Sequence, residues 1–106
     1  MSQLLLGRAE VEETLQRIEA NGSVMGVIVV NADGLPIRSS FESSKASKYA
    51  DILRRLTAMA RSTVRDVDPQ DDLIVMRMST KNQEVMVAQE NSYHLILVQR
   101  LERSRV

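Results

Sequence analysis

Gly26-Val27-Ile28-Val29-Val30-Asn31-Ala32-Asp33-Gly34-Leu35-Pro36-Ile37 decides the fold of this 106-residue chain. Val27 to Val30 are apolar at consecutive positions instead of alternating, which suits a strand buried on both faces. Asn31-Ala32-Asp33-Gly34 is strong turn chemistry, and Leu35 to Ser40 reads as a second strand returning beside the first. Pro36 cannot donate to a ladder, so that second strand belongs at a sheet edge. Leu95-Ile96-Leu97-Val98 repeats the uninterrupted apolar pattern near the other end. The first and last strands are therefore expected at the centre, with helices packed on each side of one sheet.

Before the hairpin, Gln3 to Ala20 carries Val11, Leu15 and Ile18 among charged residues, an amphipathic helix stopped by Asn21-Gly22. After it, Ser43 or Ser44 is positioned to cap a long helix running to about Val67. Tyr49, Ile52, Leu53, Leu56, Met59, Ala60, Val64 and Val67 trace a stripe on it broader than one sheet face needs. Pro69 disfavours helical geometry just before it, so the helix ends near Asp68. Asp72 to Ser79, Glu84 to Ala88 and Tyr93 to Arg100 then read as an antiparallel meander joined by short polar connections. The order α-β-β-α-β-β-β is that of an α+β domain. If the third strand lies at the other sheet edge, its row Leu73-Ile74-Val75-Met76-Arg77-Met78 invites pairing with a second chain. The surplus apolar surface of the long helix points the same way, toward a symmetric homodimer.

Composition narrows the function classes. Residues 1–106 form a single domain, with 1–8 and 101–106 expected to fray. Apolar residues at 43% and charged residues at 26% are ordinary globular proportions. No apolar run approaches a membrane span, and Leu4-Leu5-Leu6 is too short for a secretory core. Cysteine is absent, which removes disulfides, thiol catalysis and thiolate metal sites, and makes an intracellular protein the expectation. Fourteen basic residues balance fourteen acidic ones, and Phe41, Tyr49 and Tyr93 are the sole aromatics. Neither a cationic footprint nor a base-stacking platform for nucleic acid follows from that.

No constellation for chemistry emerges. Gly7, Gly22, Gly26 and Gly34 belong to no phosphate-binding motif. His94, the single histidine, lies within a strand and has no HxxxH partner, so it reads as a surface or interface residue. Asp66, Asp68, Asp71 and Asp72 fail the calcium-loop test: Asp71 falls where glycine is needed and Arg77 where a bidentate glutamate should sit. Ser62-Thr63 reads as helix surface. Met76 and Met78 suit a protein interface as well as a core. Arg54-Arg55 and Arg100, Arg103 and Arg105 read as solvated charge. No catalytic residue, cofactor site or metal site is assigned.

Four stretches resemble the roadblock-type dynein light chains over about Ala9 to Gln99. They are Ala9-Glu10-Val11-Glu12-Glu13-Thr14-Leu15; Val29-Val30-Asn31 with Gly34 and Pro36-Ile37; Ala60-Arg61-Ser62-Thr63-Val64-Arg65-Asp66-Val67-Asp68-Pro69-Gln70-Asp71-Asp72-Leu73; and Glu84-Val85-Met86-Val87-Ala88. The third, long and polar, is the most specific. The resemblance implies a profilin-like roadblock fold, a five-stranded antiparallel sheet in order 2-1-5-4-3 with helices on both faces. It implies a homodimer whose third strands join two sheets into one of ten strands. It also implies a non-catalytic adaptor that binds the dynein intermediate chain, and through it the heavy-chain complex, with no nucleic acid and no membrane. The setting would be cytoplasm and cytoskeleton, or a ciliary or flagellar axoneme. The dimer interface is expected at Leu53, Leu56, Met59, Ala60, Leu73, Ile74, Met76 and Met78. Domains of this fold also act as scaffolds or regulators of small GTPases, which is the leading alternative. A small-ligand sensor or enzyme would need convergent polar groups in a pocket, whereas Val27 to Val30 and Leu95 to Val98 read as closed core.

Overall fold

A computed structural model describes residues 12–89 and 92–101, and its element order is that expected from the sequence. Helix α1 is described over residues 12–19. Strands β1 (Val24–Asn31) and β2 (Pro36–Ser39) form the hairpin, followed by helix α2 (Ser43–Val67). Strands β3 (Val75–Ser79), β4 (Gln83–Gln89) and β5 (Tyr93–Arg100) complete one antiparallel sheet in order β2-β1-β5-β4-β3. The helical turns expected over 3–11 and the fraying expected at 1–8 and 101–106 lie outside the described residues except for Leu101, whose amide donates to the Asn82 carbonyl at 3.1 Å.

The central strands divide their side chains between two cores. Ile28, Val30, Ile96 and Val98 point to the face covered by α2, where Ala46, Ala50, Leu53, Val85 and Val87 close around them. Val27 and Val29 point to the opposite face and meet Leu15 of α1, with Ile18, Leu95 and Leu97 packed alongside. Alternation in a strand sends neighbours to opposite faces, so a continuous apolar run requires cover on both. Arg38 of β2 helps hold α1 in place. Its Nε lies 3.1 Å from Glu12 Oε1 in an ion pair not aligned as a hydrogen bond, and its Nη2 donates to Glu19 Oε1 at 3.4 Å.

The hairpin turn is built by Asn31. Its Oδ1 accepts the amides of Asp33 and Leu35 at 3.0 Å each, and Gly34 takes the left-handed conformation (φ 87°). Pro36 lies on an edge strand, where its missing amide costs no ladder bond. Gly26 admits the Phe41 ring, onto which any Cβ there would fall. That ring stacks on Tyr49 with centroids 5.3 Å apart.

Two local expectations are corrected. The N-cap of α2 is Glu42, with no side-chain cap bond, instead of Ser43 or Ser44; the Ser44 hydroxyl donates to Glu42 Oε1 at 2.7 Å. The third strand begins at Val75, not Asp72. Asp71 Oδ1 accepts the Asp72 amide and Asp72 Oδ1 accepts the Leu73 amide, both at 2.8 Å, so those donors serve local turns before any ladder. Asp68 ends α2 in extended geometry, as Pro69 requires.

Candidate partner-binding surface

Helix α2 has 25 residues, about 37 Å at ~1.5 Å per residue, whereas an eight-residue strand such as β5 spans about 26 Å. The helix therefore has more length and more surface than the sheet can cover. Its buried side is Ala46, Ala50, Leu53 and Thr57. The residues to either side of that stripe form two flanks of different chemistry.

One flank is apolar. Tyr49, Ile52, Leu56 and Met59 repeat at helical spacing, and Met59 is 67% exposed. Between this flank and the sheet is an apolar hollow of about 420 Å³, lined by Tyr49, Ile52, Leu53, Met78 and Val85 together with Lys45 and Lys48. Among the described residues, β3 ends the sheet on this side and pairs only with β4. Met76 and Met78 turn inward against the core, while Val75, Arg77 and Ser79 face outward.

The residues expected at a dimer contact therefore occupy different environments. Leu53 is 3% exposed and belongs to the protomer's own core; Ile52 is the neighbouring side chain left on the surface. Leu56, Met76 and Met78 are partly buried against that core. Ala60 is half-buried, and Met59 stands free. Leu73 and Ile74 sit in the lead-in to β3 instead of the strand, with Ile74 70% exposed. The Ile74 carbonyl still accepts the Gln89 amide at 2.9 Å, continuing the edge by one bond.

The other flank is basic. Arg54, Ala58, Arg61 and Arg65 fall in line, and with Thr57, Ser62, Gln89 and His94 they surround a concave region of about 370 Å³. Arg61 is fixed by Asp72, its Nε donating to Oδ1 at 2.8 Å and its Nη2 to Oδ2 at 3.2 Å. The Arg61 hydrogen bond, then the Leu73 amide, hold the Asp72 carboxyl below the usual carboxylate range. Burial first, then Arg54 and Arg61, push His94 below the ordinary histidine value, toward the neutral imidazole. Arg55 faces away and pairs with Asp51 at 3.0 Å. Arg54 and Arg55 are both exposed, as expected for solvated charge, but only Arg54 lines the concave region; the spacing 54, 61, 65 is the sequence signal for that row.

Among the described residues, no group of three or more His, Asp or Glu side chains could hold a metal ion. Among those same residues, no helix is long and apolar enough to cross a membrane. The aspartates considered for calcium instead cap backbone turns, Asp68 Oδ1 accepting the Gln70 amide at 3.0 Å.

This arrangement has close structural counterparts. A Roadblock/LC7 domain from Streptomyces avermitilis superposes with a TM-score of 0.73 at 13% identity, covering 83% of this chain and 73% of that one. Myxococcus xanthus MglB superposes with a TM-score of 0.67 at 12% identity, covering 83% of this chain and 68% of that one. At such identities the likeness is one of fold. The family itself is shown by sequence, because the Roadblock/LC7 domain model matches residues 10–100, from α1 to the last residue of β5. With that match over the same elements that build the sheet and both flanks of α2, the chain belongs to the Roadblock/LC7 domain family.

Proposed function

We propose that the chain is a non-catalytic homodimeric adaptor: two copies pair along β3 and pack the apolar flanks of their α2 helices together. The observation that carries this reading is that large apolar side chains stay exposed on α2, at Ile52 and Met59, and also at the open sheet edge and its lead-in, at Val75 and Ile74. Such surface on a small domain marks an interface, and an unpaired edge strand supplies its backbone donors and acceptors. Strand pairing uses Val75 to Ser79, with Ile74 and Met59 filling the space beside it.

The partner of the dimer is the dynein intermediate chain. Support comes from the resemblance of Ala60 to Leu73 to the roadblock-type dynein light chains, a block that forms the end of α2 and the connection into β3. An amphipathic segment of the partner docks by its apolar face, and two equivalent sites hold two such chains with a gain in avidity. The protein then acts in the cytoplasm and cytoskeleton, in microtubule-based transport or in a ciliary or flagellar axoneme.

Affinity capture of the tagged chain from native extract, with light scattering of the purified protein, tests both statements. The wild type should run as a dimer and recover dynein intermediate and heavy chains. Met59→Lys, at a side chain outside the protomer core, should run as a monomer and lose them. A Met59→Lys dimer would refute the α2 contact, and recovery of a small GTPase without dynein would replace the partner assignment with the scaffold reading.

A further inference from the structure

The basic flank of α2 is unused by the dimer arrangement above and has a chemistry of its own. Arg54 and Arg65 have no hydrogen-bonded or ion-paired partner among the described residues, while Arg61 commits two of its N–H groups to Asp72. No carboxylate lines the concave region among those residues. Arg54 is braced across the hairpin turn: a Cβ on Gly34 would come within 2.7 Å of its Nη1. Thr57, 1% exposed, lines the floor with a hydroxyl that has no hydrogen-bond partner among the described residues. His94 lines the same region and is driven toward its neutral form, by burial first and then by the charges of Arg54 and Arg61.

From Arg54 to Arg65 is 11 residues, about 16 Å along the helix axis. One phosphate group cannot bridge that distance, whereas carboxylates carried along a peptide can, and guanidinium forks match carboxylates bidentately. The chain has no net charge, so attraction for an anionic partner is local to this flank. We infer that the groove between Arg54, Arg61, Arg65 and His94 docks an acidic segment of a partner protein, several Asp or Glu residues spread over a comparable length. The inference does not rest on the dimer or on the identity of its partner, because the basic flank lies across α2 from Ile52 and Met59.

Anisotropy of fluorescein-labelled decaglutamate, titrated with the full chain at low and physiological salt, tests it. Binding should weaken with salt, and Arg54→Gln with Arg65→Gln should weaken it roughly tenfold or more. Lys45→Gln with Lys48→Gln, on the opposite flank, should leave it unchanged. Amide shifts should concentrate at residues 54–65, 89 and 94, and the His94 imidazole pKa should rise in the complex as carboxylates arrive beside it. Equal binding by the arginine double variant would overturn the inference, as would loss of binding in the lysine variant. If decaglutamate fails to bind while inorganic phosphate moves the same amides, the groove is a small-anion site and the acidic-segment assignment is wrong. A chain that proves monomeric yet binds decaglutamate through Arg54 and Arg65 keeps this inference and loses the dimer reading.

Discussion

The two flanks of α2 share one buried stripe and differ in nearly everything else. On one side Tyr49, Ile52, Leu56 and Met59 leave apolar surface facing the open edge of β3. On the other, Arg54, Arg61 and Arg65 with Thr57 of the same helix border His94 at the start of β5 and Gln89 at the end of β4. Apolar surface is stabilised by any cover that excludes water and has little directional preference. A row of guanidinium groups is selective for anions with matching geometry. A single helix can thus serve self-association and partner choice separately, provided its core stripe keeps the flanks apart.

That stripe is where the comparison breaks most severely. Leu53→Ala empties a fully packed site beneath both flanks and should lower unfolding free energy by about 2–5 kcal/mol, measured by denaturant titration. Loss of dimerisation and of decaglutamate binding together is the expected consequence; an unchanged midpoint would mean that Leu53 is not the core residue its 3% exposure indicates.

Thr57→Val sharpens the contrast from the basic side. The hydroxyl is buried and without a partner among the described residues, and valine keeps the branched shape, so removing it should raise stability by about 1 kcal/mol in the same titration. A loss of that size would instead reveal that the hydroxyl is satisfied within the native protein.

The smallest expected effect is in pH dependence. His94 has a lowered pKa, so just below ~6.5 the unfolded chain holds the proton more often than the folded one. Its contribution to stability is then complete above that value and declines as pH falls through the window toward the folded pKa. On the α2 side the groups facing it are Arg54 and Arg61, with Asp72 bound to Arg61 and the neutral Gln89 beside it on β4. Asp72, also lowered, contributes above its unfolded value near ~3.9 and loses that contribution at still lower pH. Stability curves of His94→Gln should lose the upper inflection and keep the lower one. Persistence of the upper inflection would assign it to another group.

Much of this was legible before any coordinates. Consecutive apolar residues in Val27 to Val30 and Leu95 to Val98 led to central strands with cover on both faces, and the two cores bear that out. Pro36 marked one edge, and Pro69 marked the end of α2. Strand order followed from the family resemblance, which the pairing register matches. What escaped was local competition: Asp71 and Asp72 look compatible with a strand until their carboxylates take the amides that the ladder would use. Leu53 and Ile52 are equally apolar neighbours on one stripe, and periodicity alone does not say which is enclosed by its own protomer.

By itself the sequence determined the element types, their order, the edge position of β2 and the family, because propensity, turn chemistry and periodicity belong to consecutive residues. Tertiary structure alone decided which flank of α2 meets the open edge and which meets the start of β5. His94 and Gln89 join Arg54 only because β4 and β5 pair antiparallel beneath the helix. The physical reason is that a helix displays every direction around its axis, and only packing against the sheet assigns those directions to core, apolar flank and basic groove.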